Sequence, residues 1–199
     1  MNSDVLLKKN LTPNKPSYCH DLIIGNRIPR DYFITDGVGE SDITIHAGSF
    51  HLALKDAGIE ICNIMTYSSI LPGISREIKR EKPLVHGAVM ETIMAVADAE
   101  KGQRATTGII YGWLKNKKNN EKLGGLVCEY NGNLSEKVAG IQLNQSLMEL
   151  YENGYSEDYD LKDIRLISKS FVPKKKFGTS IVALCFVNYV YPVYGGLEL

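Results

Sequence analysis

The chain has 199 residues and a mass of 22.1 kDa, with 44% hydrophobic and 23% charged residues. That is enough apolar material for one sizeable core and too much for wholesale disorder. Its 23 basic and 23 acidic residues cancel, so net charge gives no electrostatic argument for a nucleic acid or an anionic membrane as partner, a local patch aside.

In chain order, residues 1–28 read as a tail, because Lys8, Lys9, Asn10, Pro13, Asn14 and Pro16 break any period. Residues 1–30 are expected to be flexible, and 31–199 to form the single folded domain. The stretch 31–36 predicts a short strand, and Gly37-Val38-Gly39-Glu40-Ser41-Asp42 a turn-rich loop. From Ser49, the residues Phe50, Ala53, Leu54 and Ala57 fall at helical spacing, with Gly58 as the stop. Residues 59–67 predict a buried strand, and 70–73 a strand exit into a turn. Three more strands are expected over 86–99, 104–114 and 122–130, with a polar hairpin tip at 116–120. Residues 135–153 carry Val138, Ile141, Leu143, Leu147 and Leu150 among polar partners and predict an amphipathic helix. Strands over 163–172 and 177–190 close the chain. Strands mixed with two helices, without regular alternation, predict an α+β fold with helices covering a mainly antiparallel sheet.

No apolar run approaches the roughly 18–20 residues that cross a bilayer, and residues 1–21 lack the pattern of a signal peptide. The four cysteines, Cys19, Cys62, Cys128 and Cys185, are widely spread and form no CxxC pair, which predicts reduced thiols and a cytoplasmic protein. Neither they nor the four histidines fall at metal-ligand spacing, so no metal is expected. The chain has no GxGxxG, no phosphate-binding loop, no GxSxG and no HExxH.

The informative stretch is Tyr67-Ser68-Ser69-Ile70-Leu71-Pro72. Upstream stands Ala57-Gly58-Ile59 with Asn63; downstream stand HGAVMETIMA, then Gly124-Gly125-Leu126-Val127-Cys128-Glu129-Tyr130, then Lys176-Phe177-Gly178. In this order and spacing the chain resembles the pyruvoyl-dependent arginine decarboxylases, most of all their bacterial branch with the chlamydial enzymes. The resemblance runs from about residue 31 to 190 and is densest over 48–73 and 123–130.

The resemblance implies an αββα-type sandwich and a cofactor made from the chain itself. The chain would cut itself between Ser68 and Ser69, and Ser69 would become a covalent pyruvoyl group, with no metal and no pyridoxal phosphate. That group forms a Schiff base with a small amino-acid substrate and withdraws electrons as CO₂ leaves. Asn63 matches the family's active-site asparagine, whose amide can serve as an oxyanion donor. Glu129 matches the family's catalytic acid, which returns a proton to the substrate carbon. By the same resemblance Ala47, Phe50, His51, Ile70 and Glu91 belong to the substrate site. For Glu91, lining the pocket and forming a buried structural pair stand as equal readings. Tyr130 and Trp113 read as packing residues. The family also implies a homotrimer with sites between neighbouring subunits.

The main departure is His51. Arginine-specific members usually carry Asp there, which suits a guanidinium by charge and geometry. A protonated histidine repels a guanidinium, and a neutral one accepts a single hydrogen bond. The acids available to meet a cation instead are Asp36, Glu40, Asp42 and Glu91. Arginine to agmatine is the leading reaction. The alternatives are the same chemistry on another amino acid, or a non-catalytic homologue acting as an interaction subunit.

Overall fold

The structure, a computed structural model, describes residues 22–80 and 83–196. These fall into two compact units. The smaller joins strands β1 (Leu22–Ile24) and β11 (Val193–Gly196), which pair antiparallel. Most of the predicted tail, residues 1–21, lies outside the described residues.

The larger unit spans Ile28–Val190. Its elements in order are β2 (Ile28–Ser41), a π-helical turn (Ile45–Phe50), α1 (His51–Asp56), β3 (Asn63–Thr66), β4 (Ile70–Pro72) and β5 (Arg76–Glu77). Then follow β6 (Val89–Glu100), β7 (Ala105–Asn116), β8 (Lys122–Gly132), α2 (Glu136–Gly154), β9 (Tyr159–Phe171) and β10 (Phe177–Val190). Nine strands make two mostly antiparallel sheets, ordered β3-β6-β10-β2-β5 and β4-β8-β7-β9. The fold is α+β, as the strand and helix pattern predicts.

The layers follow from period-two alternation along the strands. In β10, Val182, Leu184 and Phe186 face inward and meet Leu71, Ile109, Tyr111 and Val127 of the second sheet. The alternate residues Ile181, Ala183 and Cys185 face outward and pack under Ala53, Leu54 and Ala57 of α1. Helix α2 covers the other sheet with Leu143 and Leu147 against Ile110, Leu114 and Leu126. Its buried stripe is Ala139, Leu143 and Leu147, whereas Val138, Ile141 and Leu150 are exposed. Ser135 caps this helix by accepting a hydrogen bond from the Val138 N–H.

Three predicted elements need correction. Gly37–Asp42 is no turn-rich loop: β2 runs straight through to Ser41. The glycines serve close approach instead. A Cβ on Gly37 would stand 2.3 Å from the Ala53 carbonyl oxygen, and one on Gly39 2.1 Å from that of Ser49, so α1 rests directly on the strand backbone. The helix begins at His51, not Ser49, because a π-helical turn occupies 45–50. The strand predicted over 59–67 is only Asn63–Thr66; residues 57–62 spend their apolar side chains on a turn, with Ile59 buried against the helix.

Candidate active site

Strand β3 is an edge of the five-stranded sheet and β4 an edge of the four-stranded one. Residues 67–69 carry the chain from one sheet to the other, so the Ser68–Ser69 peptide is strung between two walls. On the upstream side, Thr66 pairs with Thr92, and the Tyr67 N–H donates to the Thr92 carbonyl at 2.7 Å. On the downstream side, Ile70 pairs with Leu126, and the Val127 N–H donates to the Ser69 carbonyl at 3.3 Å. Glycine lets the strands meet this closely: a Cβ on Gly124 would stand 2.8 Å from the Leu71 carbonyl oxygen.

Within the crossing, the Ser69 hydroxyl donates to the Glu129 carboxylate, its oxygen lying 2.7 and 2.6 Å from the two carboxylate oxygens. The Ser68 carbonyl accepts a hydrogen bond from the Ile70 N–H at 2.9 Å, closing a three-residue turn about Ser69. A serine hydroxyl against a carboxylate, next to a carbonyl already holding a donor, can perform an intramolecular acyl shift. Burial pushes the neighbouring Cys128 thiol pKa up, and the Glu129 charge adds to the shift.

Asn63, matched to an oxyanion donor by resemblance, stands at the start of β3. Its side-chain amide donates to the Gly87 carbonyl at 2.9 Å and its backbone N–H to the Ala88 carbonyl at 2.8 Å, which ties the 85–88 turn to β3. The amide that reaches the Ser68 carbonyl is the backbone N–H of Ile70, which no reading of side chains would find. The Ile70 side chain is largely exposed.

Glu91 is buried in β6 at 2% exposure and accepts a hydrogen bond from the Tyr67 hydroxyl at 2.5 Å. The Tyr67 ring leans on Phe186, with centroids 5.5 Å apart. The Tyr67 hydrogen bond supplies Glu91 with a half-buried partner. The signal available in the sequence was a lone acid in an apolar strand, which needs a partner.

Ala47, Phe50 and His51 lie together with His46 and Leu54 around an open recess of about 360 Å³. The His46 and Phe50 rings are 5.9 Å apart and tilted by 44°. Among the described residues no hydrogen bond joins His51 to Ser69 or Glu129. Three of the acids named for a cation are engaged elsewhere. Asp36 pairs with Lys169 at 2.6 Å, and Glu40 and Asp42 accept from the Lys174 and Lys176 backbone N–H groups, each at 3.0 Å. Trp113 packs against the inter-sheet core and Tyr130 against the α2 core, as packing residues do.

Comparison with known proteins puts the chain in one class, the pyruvoyl-dependent decarboxylases. More narrowly, the profile of the pyruvoyl-dependent arginine decarboxylases matches residues 31–191, and the chain belongs to that family. It is 33% identical to the pyruvoyl-dependent arginine decarboxylase AaxB of Chlamydia muridarum over 192 residues, covering 83% of this chain and 94% of the relative. The AaxB proteins of Chlamydia abortus and of Chlamydia trachomatis serovar L2 are each 32% identical, with the same two coverages. Family membership makes the chain a decarboxylase whose cofactor is a covalent pyruvoyl group, in place of a metal or pyridoxal phosphate. Among the described residues, no helix is long and apolar enough to cross a membrane.

Proposed function

We propose that this chain cuts itself between Ser68 and Ser69, converts Ser69 to a pyruvoyl group, and decarboxylates arginine to agmatine. The observation that carries the reading is the Ser69 hydroxyl held by both oxygens of Glu129 beside a carbonyl that already holds the Ile70 N–H. In the precursor Glu129 takes the hydroxyl proton as Oγ attacks the Ser68 carbonyl carbon. The Ile70 N–H meets the charge that develops on the carbonyl oxygen. The C–N bond breaks, the Ser69 nitrogen takes a proton, and an ester replaces the amide. Loss of the Ser69 Cα proton then breaks the Cβ–Oγ bond and releases Ser68 as a carboxylate. The dehydroalanine left at 69 takes up water and loses ammonia. The pyruvoyl carbonyl so formed supplies the electron sink for loss of CO₂ from an α-amino acid.

In turnover Glu129 is free of the consumed hydroxyl and stands where a proton must be delivered to the substrate carbon. The recess of His46, Ala47, Phe50 and His51 takes the substrate side chain. The names of the relatives support arginine. The working form is a homotrimer of cut protomers in the cytoplasm. Exposed apolar residues on this single chain, Met65, Val89 and Ile43 among them, and the free thiols of Cys62, Cys128 and Cys185 support that setting.

The test is a CO₂-release screen of purified enzyme over the common amino acids, with agmatine measured directly for arginine. Release from arginine that vanishes in Ser69→Ala is expected. Release from a different amino acid alone overturns the substrate assignment, and no release from any overturns the reading.

A further inference from the structure

We propose that Tyr67 and Glu91 form a positioning pair for the self-cleavage step, holding the acyl side of the bond between Ser68 and Ser69 in register with the Ser69 hydroxyl. The inference rests on the self-processing reading above and extends it to the side chains of Tyr67 and Glu91.

The downstream side of the cut is fixed by Glu129 on the Ser69 hydroxyl, by Val127 on the Ser69 carbonyl and by the pairing of Ile70 with Leu126. The upstream side needs an equal anchor, because the attacked carbon belongs to Ser68. Strand β3 supplies only four residues, and its side chains are largely exposed, Met65 at 53%. Beyond its pairing with β6 and the packing of Ile64, its hold on the core comes at its end. There the Tyr67 backbone N–H donates to Thr92, its ring leans on Phe186, and its hydroxyl donates to Glu91 at 2.5 Å. Glu91 and Phe186 are register partners on β6 and β10, in the middle of the five-stranded sheet. The hydroxyl contact therefore ties the residue before Ser68 to the last paired rung of β6 and β10.

A buried carboxyl is a poor way to gain stability alone, since an apolar pair of the same shape does as well or better. What a hydroxyl–carboxyl bond adds is direction. It selects one rotamer of Tyr67, and with it the path of the backbone into Ser68. Near-attack geometry is steep in distance: misplacement by about 1 Å costs on the order of 100-fold in rate.

The experiment follows cutting by intact mass after fresh cell-free synthesis, for wild type, Tyr67→Phe, Glu91→Gln, Glu91→Leu and the control Tyr151→Phe. Tyr151 also loses a hydrogen bond on change to Phe, that to the Tyr159 carbonyl at 2.8 Å, but on α2, on the outer face of the four-stranded sheet. Thermal unfolding of each variant is read alongside. Tyr67→Phe and Glu91→Leu are expected to slow the appearance of fragments 1–68 and 69–199 about 10- to 100-fold. Glu91→Gln, which keeps an acceptor, recovers most of the rate, and Tyr151→Phe cuts like wild type. The Gln and Leu variants give the same decision if Tyr67→Phe does not fold. Cutting at the wild-type rate in Tyr67→Phe or Glu91→Leu overturns the pair's role and leaves self-processing standing. Slowing that merely tracks loss of thermal stability, Tyr151→Phe included, overturns it too. A wild-type chain that stays whole overturns both readings.

Discussion

The crossing at Ser68–Ser69 and the recess at His51 are built on opposite plans. The crossing is tied at several groups: Ser69 by Glu129, the Ser68 carbonyl by Ile70, Tyr67 by Glu91 and Thr92. Each anchor sits on a strand inside a sheet, and the sheets meet in one packed core. The recess is open, lies on a π-helical turn and a short helix, and leaves His51 exposed with no partner among the described residues. The difference teaches where reaction and selectivity are encoded. Under the proposed function, bond-making geometry is set by the sheets, whereas the choice of substrate side chain falls to a surface that single substitutions can alter without disturbing the core.

Substitutions in the two regions should therefore fail in different ways. The largest effect is expected at Ser69. Ser69→Ala removes the nucleophile and the future carbonyl together, so both cutting and CO₂ release fall to background. Glu129→Gln comes next. It keeps a hydrogen-bond acceptor for Ser69 but no base, and should slow both cutting and turnover by roughly 10²–10⁴-fold. Slowed turnover with normal cutting would confine Glu129 to the later step.

The packing behind the crossing gives a third measure. Leu71 is fully buried between the sheets two residues after Ser69. Leu71→Ala should cost about 3 kcal/mol of stability in urea unfolding. A loss below about 1 kcal/mol would show that β4 is not held by the inter-sheet core. At the recess, His51→Asp should leave cutting and stability near wild type and lower the KM for arginine about tenfold, the scale of one charge-assisted contact. An unchanged KM would remove His51 from the substrate site.

The smallest expected effect lies behind both regions. Asp31, on β2, holds Arg76 at 2.6 Å and accepts from Asn188 at 2.8 Å, pinning β5 after the cut to the sheet. The Arg76 hydrogen bond lowers the Asp31 pKa below its ordinary 3.8, despite burial acting the other way. A lowered folded pKa means a contribution that is complete above about pH 4 and is lost as pH falls through the folded value. Asp31→Asn should thus destabilise at pH 7, with the gap to wild type closing as acid protonates Asp31. A constant gap across that range would contradict the assignment.

Much of the fold was legible where pattern and burial agree. The runs at 104–114 and 177–190 alternate or fill both faces of central strands, and both are found there. Reading failed where glycine serves packing. Gly37 and Gly39 look like turn residues, yet they lie mid-strand because a helix backbone needs their missing side chains. The pairing of Ser69 with Glu129 spans 60 residues and could be anticipated only through resemblance. The Ile70 N–H and the Tyr67–Glu91 bond were hidden for different reasons. One is a backbone group, which sequence never displays, and the other joins two residues 24 apart whose meeting depends on the parallel pairing of β3 with β6.

The central claim, a chain that divides at its inter-sheet crossing to make its own cofactor, is tested most directly by intact-mass analysis of the purified protein. Two fragments ending at Ser68 and beginning at residue 69, the second blocked to stepwise N-terminal degradation, are the predicted result. A single uncut chain of 199 residues, unchanged after prolonged incubation, would contradict it.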